Sequence, residues 1–192
     1  MPKKQQPKKV RKRFAKKGFS FMEVMMAVFL IVVGVLASVT LLSGGLRESL
    51  DSRNQLTAVL LAQEGVELVR NIRDNNWIAT AATFDSFPEA NPDNCIIGLS
   101  TPALTCGIND AAKTLYLSSN GLYDTTPTAS PTKFKRKIAI SYDSLPVATA
   151  TYATVTSMTI WGNSPFPTDV ADCNSGKKCA FVEVTLTNWG EK

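Results

Sequence analysis

The chain has 192 residues, with 21 Lys/Arg against 16 Asp/Glu and no His. The missing imidazole excludes a Ser-His or Cys-His nucleophile pair and any His general base. Its net charge of +5 averages two unlike parts: nine Lys/Arg crowd the first 18 residues without one acid, and from Phe19 onward 12 basic residues face 16 acidic ones, about −4. A body with that balance lacks the clustered positive charge of a phosphate-tracking groove, so no nucleic acid is expected on it.

Residues 1–18, ending in Lys16-Lys17-Gly18, are basic and rich in Pro and Gln. Such a segment cannot bury a core, and beside a membrane segment it reads as a cytoplasmic topology signal. Residues 19–46 form the first half of a predicted helix. Val24 to Leu46 is 23 residues without a charge. At 1.5 Å per residue it reaches about 35 Å, enough for a hydrocarbon core of roughly 30 Å. Glu23 stands at its head, where an ionised carboxylate in lipid costs several kcal/mol unless it is paired.

Residues 47–76 continue as an amphipathic half, "RESLDSRNQLTAVLLAQEGVELVRNIRDNNW". Leu46, Leu50, Leu56, Val59, Leu60, Val66, Val69 and Ile72 recur near helical spacing and are expected to face the core. Glu64 and Glu67 precede Arg70, which supports local ion pairs. With no Pro between Phe19 and Phe87, one helix is expected from about Phe19 to Asn75, about 85 Å long.

Residues 77–192 read as a loop-rich and antiparallel-sheet globular domain. The stretch to Thr114 holds Pro88, Pro92 and Pro102 and reads as loops. "KTLYL" and "GLYD" flank Ser118–Asn120 as a short hairpin with a Gly at the turn. "KFKRKIAISYD", "TYATVTSMTIWG" and "CAFVEVTLTNW" alternate as strands. Together they predict an α+β fold, a long N-terminal helix packed on a C-terminal antiparallel β-sheet. Trp161 and Trp189 end strand patterns and are expected in core or edge packing; Trp77 is a candidate exposed contact.

Cys95, Cys106, Cys173 and Cys179 are spaced C-x10-C and C-x5-C. Neither spacing is a zinc knuckle and no His completes a mixed site, so no metal or cofactor is expected. Of three pairings, Cys95–Cys106 and Cys173–Cys179 are favoured, because short loops lose least entropy on closing; four buried thiols are the alternative. Membrane topology with an outside domain places all four in an oxidising space. No G-x-S-x-G, S-x-x-K with partners or P-loop occurs. Asp143, Asp169, Asp172 and Glu183 are scattered carboxylates with no spacing that selects a pair. "TDVADCNSG" offers oxygen ligands without the EF-hand pattern, and reads as a disulfide-bounded surface loop. No catalytic residue is assigned, and the chain is not expected to be an enzyme.

The basic leader, the Gly18-Phe19 junction, Glu23 five residues into the remaining chain and the apolar run together resemble the class III signal of type IV prepilins and pseudopilins. The resemblance covers about 30 residues, and the order helix, loops, antiparallel sheet is that family's order. It implies a type IV pilin-like fold. It also implies cleavage after Gly18 by a membrane aspartyl prepilin peptidase, a methylated amine on Phe19, and a filament-assembly role for Glu23. "FMEVMMAVFLIVVGVL" with "LLAQEGVELVRNIRD" is most similar to minor pilins of the pilus-modification type. A disulfide near the C-terminus is common in pilins; "CNSGKKC" encloses a smaller loop than many carry. The implied partners are other pilins or pseudopilins, the peptidase, an inner-membrane assembly platform, and membrane lipid before assembly. The implied location is a single pass of the cytoplasmic membrane with the globular domain outside, then the cell-surface filament. Alternatives are a minor pseudopilin of type II secretion or DNA uptake, an uncleaved signal-anchored surface protein, and a secretory signal cut near "VLAS".

Overall fold

The computed structural model describes residues 18–80, 83–84, 86–90, 92–127 and 130–188. Of the leader, only Gly18 is among them, and Trp189 lies outside them. The chain divides into two compact units at Glu48–Ser49.

Helix α1 runs Phe21–Thr80. It continues past Asn75, because Trp77-Ile78-Ala79-Thr80 contains no breaker and the next Pro is Pro88. In the unit up to Glu48, every described residue is exposed.

In the second unit, five strands form one antiparallel sheet in the order β2-β1-β3-β4-β5. They are β1 (Thr114–Leu117), β2 (Tyr123–Asp124), β3 (Ser130–Tyr142), β4 (Tyr152–Trp161) and β5 (Cys179–Thr187). The expected hairpin is β1–β2; Gly121 turns it at φ 79°, which favours glycine. β3, β4 and β5 are the three long strands expected, and β3 pairs with β4 over nine registered positions. The stretch around Cys95 pairs with β3 at Ile138 and with Thr105.

The sheet's inner face packs on α1, as the period-2 alternation requires. The helical side of that contact matches the expected stripe at Val66, Val69 and Ile72 and differs from it elsewhere. Ala58, Leu61, Ala62, Gly65, Val66, Val69, Ile72 and Arg73 are buried. Leu46, Leu50, Leu56 and Leu60 are 55–62% exposed, so they do not face the core. The buried positions recur at i, i+3, i+4, i+7, but three of them are Ala or Gly, which apolar size alone underweights. Close approach is the reason. A methyl group on Gly65 would collide with Ser157 Oγ and stand 3.0 Å from Arg136 Cδ and Ile138 Cδ1.

Arg136 ties the layers together. It lies on the inner face of β3, in phase with Phe134, Ile138 and Ile140, and is 2% exposed. Its Nη1 donates to Leu61 O at 3.0 Å and Glu64 Oε1 at 3.3 Å, and its Nη2 donates to Ile97 O at 2.9 Å. Burial pushes the guanidinium down from its usual range, and Glu64 opposes that shift. Glu64 is thus drawn to the sheet, while Glu67 holds Arg70 at 2.5 Å. Ser157 Oγ, Thr159 Oγ1 and Trp161 Nε1, successive inner-face positions of β4, are buried without a partner among the described residues.

Asp124 does the same for the loop beside β2. It accepts from Leu99 N at 2.9 Å, Thr125 N at 2.7 Å and Ser100 Oγ. Burial alone would raise its carboxyl; these hydrogen bonds outweigh it and hold the group below its ordinary value.

Replacing Arg136 with Met should leave Ile97 O without its donor, strip Leu61 O of its second one, and cost roughly 2–3 kcal/mol of unfolding free energy, measured by chemical denaturation. Because the folded Asp124 is depressed, its contribution is present above the unfolded carboxylate range and is lost as pH falls through the folded value. Asp124→Ala should therefore lower the thermal midpoint at neutral pH and flatten its decline on the acid side, read from midpoints across pH 2–7.

Candidate functional site

The candidate site is the start of α1. Gly18 and Phe19 precede the helix, and Phe19 is 81% exposed. Ser20 O begins the helix by accepting Glu23 N at 3.0 Å and Val24 N at 3.2 Å. Glu23 lies in the first turn. A negative charge there is favoured by the helix dipole, typically by about 0.3–1 kcal/mol. The carboxylate therefore suits its helix while standing at the edge of an apolar run.

The helix that follows is long and apolar enough to cross a membrane, and its most apolar stretch is exposed throughout. Four polar side chains occur between Phe21 and Leu46. Three are satisfied within the helix: Ser38 Oγ donates to Gly34 O at 2.8 Å, Thr40 Oγ1 to Ala37 O at 2.8 Å, and Ser43 Oγ to Thr40 O at 3.0 Å. Such back-bonding suits hydroxyls to lipid, where no water replaces a missing partner. Glu23 is the fourth, and no side-chain partner for it exists among the described residues.

Both local disulfides are present, Cys95–Cys106 and Cys173–Cys179, and no described cysteine is free. The first closes the bridge of Ile96 with Thr105 beside β3; the second sits under Met158 and Ile160 on the sheet's outer face.

The four scattered carboxylates are each held locally. Asp143 accepts from Thr151 N and Thr151 Oγ1, Asp169 from Ala171 N, Asp172 pairs with Lys177, and Glu183 accepts Thr156 Oγ1. In "TDVADCNSG", Asp169 and Asn174 oxygens accept backbone N–H groups of the loop itself. Trp161 is buried against Ala58 and Phe134, and Trp77 is 44% exposed.

No protein-family model, curated protein or solved structure matches the chain. Non-reducing peptide mapping of the oxidised protein should recover Cys95 joined to Cys106 and Cys173 joined to Cys179; a peptide joining one pair to the other would contradict this arrangement.

Proposed function

We propose that the chain is a prepilin-like structural subunit, of the minor type, of a type IV pilus or a related filament. The observation that carries this reading is Glu23, the one polar side chain of the apolar run from Phe21 to Leu46 without a side-chain partner among the described residues, the fifth residue after a Gly-Phe junction at the end of a basic leader. A membrane helix that only anchored a domain would have no use for it.

In this reading the leader stays in the cytoplasm and a prepilin peptidase cuts after Gly18. The cut creates an α-amine on Phe19, which is methylated. That amine, on a neighbouring subunit, is the natural partner for Glu23. A carboxylate–ammonium pair between packed helices is charge-assisted and specific in position. A misplaced subunit leaves both charges unpaired, which penalises the wrong register. Lipid holds the helix until an inner-membrane assembly platform extracts it, and the β-rich domain faces outward at the cell surface. The chain's role is assembly and not catalysis.

Three measurements test this. The intact mass of the membrane-extracted protein should correspond to a chain beginning at methylated Phe19; a start at Met1 or Ser38 would contradict it. Gly18→Leu should accumulate as uncleaved precursor on a gel. Glu23→Gln should be cleaved normally yet enter filaments at least tenfold less well than the unaltered chain, scored by immunoblot of sheared filaments; equal entry would refute the pairing.

A further inference from the structure

The two edges of the sheet differ. One is β2, only two residues long. The other is β5, nine residues in unbroken register with β4, without a bulge. Its sequence CAFVEVTLT has no Pro and no Lys, the usual means of blunting an exposed edge.

The direction of its backbone groups follows from the ladder. Trp161 N donates to Lys178 O, and Asn188 N to Thr151 O. In an antiparallel pair, hydrogen-bonded and non-hydrogen-bonded pairs alternate. Ala180, Val182, Val184 and Leu186 therefore bond to β4, opposite Thr159, Ser157, Val155 and Ala153. The N–H and C=O groups of Phe181, Glu183, Thr185 and Thr187 point away from β4. Cys179, next in that outward set, gives its N–H to Asn174 O, whereas no partner occurs for the outward groups of the other four among the described residues.

The side chains match an unfinished edge. Val182 and Val184 pack on the core cluster but are only half-buried, and Phe181 is 39% exposed on the opposite face. Glu183 is central, its carboxylate held by Thr156 Oγ1 at 3.0 Å, with no ion-pair partner among the described residues.

We propose that β5 receives an extended segment of another protein as an added strand, with a basic side chain opposite Glu183. Main-chain bonds to Phe181, Glu183 and Thr185 supply the affinity, and apolar side chains finish the cover over Val182 and Val184. A second copy of this chain fits poorly. Any β5–β5 register through the centre brings the two Glu183 carboxylates opposite or diagonal across the ladder, about 5–8 Å apart, and like charges there are destabilising.

The test uses the full chain in detergent micelles and is independent of N-terminal processing. The probes are two nine-residue peptides of alternating threonine and valine, one with lysine and one with glutamate at the centre. The lysine peptide should bind at least tenfold more tightly by fluorescence anisotropy. At saturation it should slow hydrogen exchange at Phe181, Glu183 and Thr185 at least tenfold, while exchange at Val182 and Val184 is unchanged. Glu183→Lys should reverse the peptide preference. Thr185→Pro removes only an outward N–H, so it should weaken binding at least tenfold with the thermal midpoint kept. If that variant fails to fold, the reversal by Glu183→Lys decides alone. Equal affinity for the two peptides, protection elsewhere, or protection of these amides that appears with protein concentration and no peptide would overturn the proposal.

Discussion

One helix has to satisfy two surroundings. Up to Glu48 every described side chain is exposed, and between Phe21 and Leu46 they are mostly large and apolar, fit for hydrocarbon, with each hydroxyl turned back onto the helix. From Ala58 onward the same backbone meets a sheet, and the demand changes from apolar size to closeness of approach. Ala58, Ala62 and Gly65 let β3 and β4 come near, and Arg136 fastens the contact through a helix carbonyl, a helix carboxylate and a loop carbonyl. The register of helix on sheet thus rests on a buried cation bonded on both sides. Removing such a cation costs more than the bonds themselves are worth, because Ile97 O, which it served, stays buried.

If the apolar run lies in lipid, as proposed, that constraint also gives Glu23 its meaning. Ser38, Thr40 and Ser43 are polar too, yet each closes its own hydrogen bond, so they ask nothing of another molecule. A carboxylate in the first turn can take some relief from the helix dipole but cannot complete its coordination alone. Its need is external. In the proposed function, a processing step that creates an amine four residues away in sequence would supply the matching charge for a neighbour's helix. The edge of β5, open among the described residues, is the corresponding unmet demand on the domain side, expressed in backbone groups instead of charge.

Much of this was legible beforehand, and the exceptions have a common cause. The long helix follows from the charge-free run and the absence of Pro; β3, β4 and β5 follow from period-2 alternation in β-branched residues. The short disulfides follow from loop closure. The core stripe holds at Val66, Val69 and Ile72 but not at Leu46, Leu50, Leu56 and Leu60, because part of the packed face is Ala58, Ala62 and Gly65. Size signals burial poorly where close approach is what matters. Arg136 was hidden for the opposite reason: a charge inside "KFKRKIAISYD" reads as solvated, although its phase with Phe134 and Ile138 places it inward. The helix runs past the expected end at Asn75 to Thr80, because no Pro follows it before Pro88. The open edge of β5 was invisible, since strand order is a property of topology and not of local pattern. Glu23, by contrast, was legible as an anomaly from charge alone; what the structure adds is that its polar neighbours need no partner.

The pairing of Glu23 with a new N-terminus is the central claim, and zero-length carbodiimide cross-linking of assembled filaments tests it most directly. Mass spectrometry of the digested filaments should reveal an amide joining Glu23 to the N-terminal amine of a neighbouring subunit. Recovery of Glu23 only in uncross-linked peptides, from filaments that contain the chain and whose other close carboxylate–amine pairs are joined, would contradict it.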